Sequence, residues 1–330
     1  MTRPQRAPDG DFTALTAYAH EHLVRLSPPP VRPHPAAQKL ESEVRAWAAR
    51  AGLCAQGGQR ALERRRIGHL VAWCMPHAPF AVARLTAHYL AWVFHFDDTI
   101  AEHPAHLNAH LEWDLPGLLR SGRTHPDAPS CVHLTSLAAV RAEITSSTAD
   151  GGREVLAQLA DGLRRYLEGC VNEGPWRASG QPPALDAYLR QRTHTSGGHP
   201  LYLHRLAPGM PPSGEPLPTC LTALAELAFL LGGLANDLLG HAAEHRQGDP
   251  VNAVTVLAHE YGLAMPDAYR ATVVLHAAHK HRFDTDHARL RADPALTPPQ
   301  RHLAEAIGGW VEGSAAAIEP YFHHLLATRR

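Results

Sequence analysis

The sequence predicts an all-α fold, and three observations carry that prediction. Apolar residues recur at helical spacing along most of the chain. Proline and glycine clusters punctuate the pattern with turn chemistry. No strand alternation bounded by hairpin turns stands out.

Taken in order, residues 1–35 are proline-rich (Ser27-Pro28-Pro29-Pro30, Pro33, Pro35) and read as a mobile arm. The domain then spans residues 36–330. Helices are expected at 37–53 and 59–74, the second stopping before Pro76. One at 80–102 stops before Pro104, and two more cover 132–148 and 152–172. A helix at 184–194 lies between Pro182-Pro183 and Gly197-Gly198. Pro211-Pro212, Pro216 and Pro218 precede a helix at 218–245, and Pro250 precedes one at 251–263. The last two are expected at 265–292 and 297–326, the latter opened by Pro298-Pro299.

The 330 residues suit one large domain, because no composition break or linker run divides them. An apolar content of 45% supports a substantial core, and a net charge of −1 provides no basic field for nucleic acid. The five cysteines (Cys54, Cys74, Cys131, Cys170, Cys220) show no CxxC pairing and read as core thiols in a reducing compartment. The best apolar run, Leu221 to Ala235, contains Glu226 and is too short for a bilayer. The N-terminus lacks a signal-peptide pattern, so a cytoplasmic protein is expected. The 25 histidines are spread through the chain and read as compositional bias.

Two acidic clusters carry the functional signal, each written into an apolar helical stretch. Asp97-Asp98-Thr99-Ile100-Ala101-Glu102 follows Leu90 to Phe96, and Asn236-Asp237-Leu238-Leu239-Gly240-His241-Ala242-Ala243-Glu244 follows Leu227 to Ala235. Carboxylates ending a buried segment are costly unless paired or metal-bound. Their oxygens suit Mg²⁺, which also takes phosphate oxygens. At about 100° per residue, Asn236, Gly240 and Glu244 share one helix face, as do Asp98 and Glu102.

These clusters resemble the two hallmarks of bacterial class I terpene synthases, an aspartate-rich DDxx(D/E) motif and a later NDxx(S/T)xxxE motif. Tyr188-Leu189-Arg190-Gln191-Arg192-Thr193-His194-Thr195-Ser196-Gly197 is similar to that family's YLxxRxxTxG segment, and Gly248-Asp249-Pro250-Val251-Asn252 to its GDxxN. Pro33-His34-Pro35 and Ala51-Gly52-Leu53 resemble its opening. The resemblance implies a class I terpenoid synthase α-helical barrel with a central apolar pocket. It also implies Mg²⁺-dependent ionisation and cyclisation of a linear isoprenoid diphosphate. Farnesyl diphosphate is the default by family frequency; geranyl and geranylgeranyl diphosphate stay open.

The resemblance further implies metal positions at Asp97, Asp98, Glu102, Asn236, Gly240 and Glu244, with three Mg²⁺ ions for which Mn²⁺ can substitute. It places the diphosphate sensor at Arg192, with Arg190 as the neighbouring alternative, and linker and effector positions at Thr195 and Ser196. Phe94 and Trp310 are the expected cation-stabilising aromatics. Departures stand beside the likeness. Gly240 lacks the usual hydroxyl, Ala243 replaces a common lysine, and the C-terminal Arg-Tyr pair is not recognisable. Arg246 or a protonated histidine is the expected substitute donor. Dimerisation is common in that family, though no separate residue signal for it stands out.

Other readings fit parts of the pattern. Acidic pairs on helices are usually solvated faces or salt bridges, and Phe94 and Trp310 also read as plain core aromatics. His241-Ala242-Ala243-Glu244-His245 spells HxxEH, the helix of inverted zinc proteases. A non-catalytic relative would keep fold and pocket without ionising substrate. A chain-elongating prenyltransferase would carry a second DDxxD, whereas here the second cluster is ND…E.

Overall fold

Two helices that are apolar on nearly every side set the architecture, because such segments must lie inside the bundle. The computed structural model describes residues 12–27, 32–54, 63, 65–101, 106–107, 111–148, 152–212 and 215–327, with side chains to residue 317. Among them are twelve α-helices and no strand. The first six are α1 (Phe12–Leu26), α2 (Ala37–Arg50), α3 (Ile67–Cys74), α4 (Phe80–Phe96), α5 (Leu115–Ser121) and α6 (Val132–Ser147). The others are α7 (Arg153–Ser179), α8 (Leu185–Thr195), α9 (Thr219–Gln247), α10 (Ala253–Tyr261), α11 (Met265–Ala292) and α12 (Pro298–Ala327).

Helix α4 is central: Leu85, Tyr89, Leu90, Trp92, Val93 and Phe96 are all buried along it. Helix α9 has 29 residues and is the one described helix long and apolar enough to cross a bilayer. Its apolar residues are instead buried in the bundle, against α8, α11 and α12 among others.

The structure corrects the expected N-terminal arm over Phe12–Leu26. Ala19 and Leu23 are buried there and pack in one cluster with Leu238, Leu239, Tyr269 and Val273, so α1 is clamped onto α9 and α11. Its proline-rich flank hides the short apolar stripe that does this. Two further elements carry no sequence signal of their own: α5, with a proline in its first turn, and a 3₁₀ segment at His199–Leu206.

That 3₁₀ segment exists because two glycines break the chain after α8. Gly197 adopts φ +68°, a left-handed conformation that disfavours side chains. At Gly198 a Cβ would lie 2.3 Å from the Phe229 ring, so only glycine admits α9 this closely. Along α4, the Tyr89 and Trp92 rings stack at 6.0 Å, and Trp92 and Phe96 at 5.1 Å. The Tyr89 hydroxyl and His199 Nε2 share a 2.8 Å hydrogen bond.

Candidate active site

The first acidic cluster is held by a change of helical winding. Helix α4 passes into a π-helical turn at Asp97–Ala101, and this looser turn sends the two aspartates to different places. Asp97 lines a polar cleft and accepts a hydrogen bond from the Tyr166 hydroxyl of α7. Burial pushes the Asp97 pKa up, while the Tyr166 bond and the nearby Arg65 charge pull it back. Asp98 turns instead to Arg65, which donates from Nε to Oδ2 at 3.3 Å and from Nη2 to Oδ1. Phe94 is half-buried, with the Arg65 guanidinium carbon 4.6 Å from its ring centroid. Glu102 lies outside the described residues.

Helix α8 separates its two arginines. Arg190 is exposed and pairs with Asp186 on its own helix, away from the cleft. Arg192 lines the cleft and is tied to α9 by Nη2, which donates to the Gly233 carbonyl at 3.1 Å and to Asn236 Oδ1 at 3.0 Å. The same nitrogen lies 2.8 Å from Asp237 Oδ1. Burial alone would lower the Arg192 pKa, but the Asp237 carboxylate beside it more than reverses that. Thr195 lines the cleft, and its carbonyl accepts from Arg192 Nη1 at 3.4 Å. Ser196 is not a lining residue; its hydroxyl donates to the Thr193 carbonyl at 3.2 Å, and its Cβ faces Gly233.

Helix α9 brings Asn236 and Glu244 to the same cleft as Asp97. Between them, Asp237 is a buried anchor that accepts from the Tyr188 hydroxyl and from the backbone N–H of Ala253 at 3.3 Å. Asn252 caps α10 by accepting from Val254 N at 2.8 Å, and its amide donates to Glu244 Oε2 at 2.7 Å. Burial, with the Asp237 charge adding to it, pushes the Glu244 pKa up to about 8. Gly240 leaves room for that carboxylate: a Cβ there would lie 2.6 Å from Glu244 Oε1. Arg246 is exposed and is not a lining residue, whereas Gln247 is.

The cleft is open to solvent and is lined by five carboxyl groups and two guanidinium groups. Two of its charged residues, Glu173 and Arg177, lie outside the motifs, whereas Asp249 is the aspartate of the GDxxN-like segment. Arg177 Nη1 pairs with Glu173 at 2.9 Å and its Nε with Asp249 at 3.2 Å, linking α7 to the turn after α9. Tyr166 and Arg65 carry no motif signal either. Tyr188 and Asn252 stand inside the YLxxRxxTxG-like and GDxxN-like segments, but their contacts are readable only in three dimensions.

The zinc-protease reading of HxxEH fails on this geometry. His241 and His245 lie under the Phe12 ring, at 5.7 and 5.3 Å, and the His241 Nδ1 faces the Tyr269 hydroxyl at 3.1 Å. Glu244 turns away from them toward Asn252 and the cleft. Trp310 is buried in the main core, edge-on to His204 at 5.9 Å, and does not line the cleft.

The cleft fits a hard cation. Asp97, Asn236 and Glu244 present oxygens, and burial makes the charged form of Glu244 costly in a way that a bound cation would relieve. Among the described residues, no three His, Cys, Asp or Glu side chains gather tightly enough to hold an ion by themselves. Mg²⁺ needs no such cage, since it retains waters and takes substrate phosphate oxygens.

Residues 88–282 match the model of "Terpene synthase family 2, C-terminal metal binding". The chain belongs to that family. It is a class I terpene synthase. It is 28% identical over 292 residues to tsukubadiene synthase of Streptomyces tsukubensis, covering 82% of this chain and 79% of that one. It is 24% identical over 280 residues to (+)-T-muurolol synthase ((2E,6E)-farnesyl diphosphate cyclizing) of Roseiflexus castenholzii, covering 82% and 80%. The crystal structure of 2-methylisoborneol synthase from Streptomyces coelicolor, in complex with Mg²⁺ and 2-fluoroneryl diphosphate, shares the fold of this terpene synthase. The TM-score is 0.78 at 19% identity, covering 88% of this chain and 93% of that one.

Proposed function

We propose that this terpene synthase ionises a linear isoprenoid diphosphate in the polar cleft and cyclises the resulting cation, with farnesyl diphosphate as the favoured substrate. One observation carries the reading: Asp97 from the π-turn after α4, Arg192 from α8, and Asn236 and Glu244 from α9 all line one cleft. The farnesyl preference draws on the (+)-T-muurolol synthase likeness.

In this reading Asp97, Asn236 and Glu244 would hold Mg²⁺, which supplies charge to the departing diphosphate when bound. Arg192 lines the cleft with its guanidinium held by Asp237 and the Gly233 carbonyl, and its positive charge would face the diphosphate there. Tyr166 and Asn252 hold the Asp97 and Glu244 carboxylates in place. The allylic C–O bond breaks with both electrons leaving on the diphosphate, and the cation closes its rings against aromatic faces, Phe94 first. Loss of a proton or capture of water ends the sequence.

The test is incubation of the purified protein with Mg²⁺ and geranyl, farnesyl or geranylgeranyl diphosphate, with an EDTA control. Diphosphate release and extracted products are followed together, the products by gas chromatography–mass spectrometry. An EDTA-sensitive cyclic C15 product is expected. A cyclic product only from another chain length overturns the farnesyl preference. Silence with all three in folded protein overturns the catalytic reading in favour of a binding protein.

A further inference from the structure

Two consecutive glycines, Gly197 and Gly198, join the end of α8 to the 3₁₀ segment. Neither has a side chain with which to fix its own position, and glycine has the widest choice of backbone conformations. The chain just before them carries Arg192 and Thr195, which both line the cleft. Upstream of the glycines, this stretch is anchored by Arg192 itself, tied to Asp237, Asn236 and the Gly233 carbonyl of α9.

Downstream, the first side chain is His199, and it is buried. Its Nε2 shares the 2.8 Å hydrogen bond with the Tyr89 hydroxyl of α4, and the two rings meet edge-on at 5.4 Å. Gly162 of α7 lets it sit so deep, because a Cβ there would lie 2.4 Å from the His199 Cβ. The imidazole also neighbours the Tyr166 ring at 6.4 Å, and the Tyr166 hydroxyl donates to Asp97. Burial lowers the His199 pKa to about 3, so the ring is neutral near pH 7 and one of its nitrogens is an acceptor. Neither His199 nor Tyr89 lines the cleft.

Resting on the diphosphate reading above, we propose that His199 is a positioning residue: its bond with Tyr89 pins the glycine break and thereby sets where Thr195 and the Arg192 guanidinium stand in the cleft. The link is short. The Ser196 N–H donates to the Arg192 carbonyl at 3.0 Å, and Arg192 Nη1 donates to the Thr195 carbonyl at 3.4 Å. Only Gly197 and Gly198 separate Ser196 from the anchor. A displacement on the order of 1 Å at a group facing the departing diphosphate is expensive in rate, because charge must be met where it develops. Substrate affinity, spread over metal ions and several donors, is far less sensitive to the same displacement. His199 thus acts on the reaction without touching substrate or metal.

The test removes the bond in two ways, so that positioning separates from stability. Tyr89→Phe strands a buried nitrogen of His199 and should lower the melting temperature. Tyr89→Phe combined with His199→Phe removes both polar groups while keeping two rings, and stability should return toward wild type. Diphosphate release is then measured with saturating Mg²⁺ at a temperature where every variant is folded. The substrate is whichever of geranyl, farnesyl and geranylgeranyl diphosphate the wild type turns over. Both variants should lose kcat by roughly tenfold or more, with KM within about twofold of wild type. A kcat within about twofold of wild type in either folded variant would show the bond to be structural only, and would overturn the proposal. A rise in KM at unchanged kcat would overturn it too, since the pair would then serve binding alone. Wild-type protein that releases no diphosphate from any of the three would overturn the underlying reading of the cleft instead.

Discussion

Arg192 and Asp237 meet 2.8 Å apart across the junction of α8 and α9, with Asp237 buried and Arg192 partly so. The pair joins the diphosphate-facing segment to the second acidic cluster. Replacing Arg192 by Ala leaves Asp237 unpaired, which costs about 3–5 kcal/mol of stability. Turnover should fall by about two orders of magnitude or more. Arg190→Ala, on the solvent side, should leave both melting temperature and rate close to wild type. Equal losses in the two variants would refute the division of roles.

Tyr166→Phe removes the hydroxyl that donates to Asp97. A hydrogen bond to a charged group contributes about 1.5–3 kcal/mol, so Asp97 should hold its proton more firmly and the Mg²⁺ requirement should rise roughly tenfold. Initial rates over a Mg²⁺ series test this, and an unshifted curve would count against it.

Glu244 offers a thermodynamic readout. With its pKa pushed up to about 8, the carboxyl is largely protonated at neutral pH, and a cation there must displace that proton. Calorimetric Mg²⁺ titrations in buffers of different ionisation enthalpy should show close to one proton released at about pH 7, declining above about pH 8. No proton release at neutral pH would remove Glu244 from the metal set.

Gly240→Ser restores a hydroxyl at the centre of the second cluster. The new Cβ conflicts only with Glu244 Oε1, the far end of a flexible side chain. Mg²⁺ affinity should therefore improve a few-fold, with the melting temperature little changed. A weaker affinity would mean that Glu244 cannot leave its present position without loss.

Acid should destabilise this protein early. Burial lowers the pKa of His199 and His241 to about 3, and of His204 and His276 to about 4. The unfolded chain binds these protons first, so stability is fully present above about pH 6.5 and is lost as pH falls toward about 3–4. Each imidazole contributes up to about 1.4 kcal/mol per pH unit within that window. Chemical denaturation from about pH 7.5 to about pH 4.5 checks the slope; a flat profile would contradict it.

The parts of the fold and site that are legible in the sequence are those whose information is local. Helix α9 reads directly from its own composition, and Arg192, Asn236 and Glu244 stand in short segments that resemble family motifs. Helix α1 does not, because its burial depends on Leu238 and Tyr269, far along the chain. Tyr166 meets Asp97 across 69 positions, and Arg177 meets Asp249 across 72. No periodicity encodes such meetings; they arise only when helices pack. The aspartate pair shows the opposite limit. Regular α-spacing puts Asp98 on the Glu102 face, but the π-turn decides which of Asp97 and Asp98 lines the cleft.

That turn makes the acidic site sensitive to chain length as well as to chemistry. A π-turn carries one residue more than the α-turn it replaces, so deleting Thr99 would return the segment to regular winding and re-space the two aspartates within the turn while its flanks stay in phase. Ile100 and Ala101, now buried, would keep their side of the helix, while Asp97 and Asp98 would be re-aimed with every acidic residue still in the sequence. A single-codon deletion can thus silence this cluster with all of its acids intact. The same extra residue gives adaptation a way to re-aim the acids without replacing any of them.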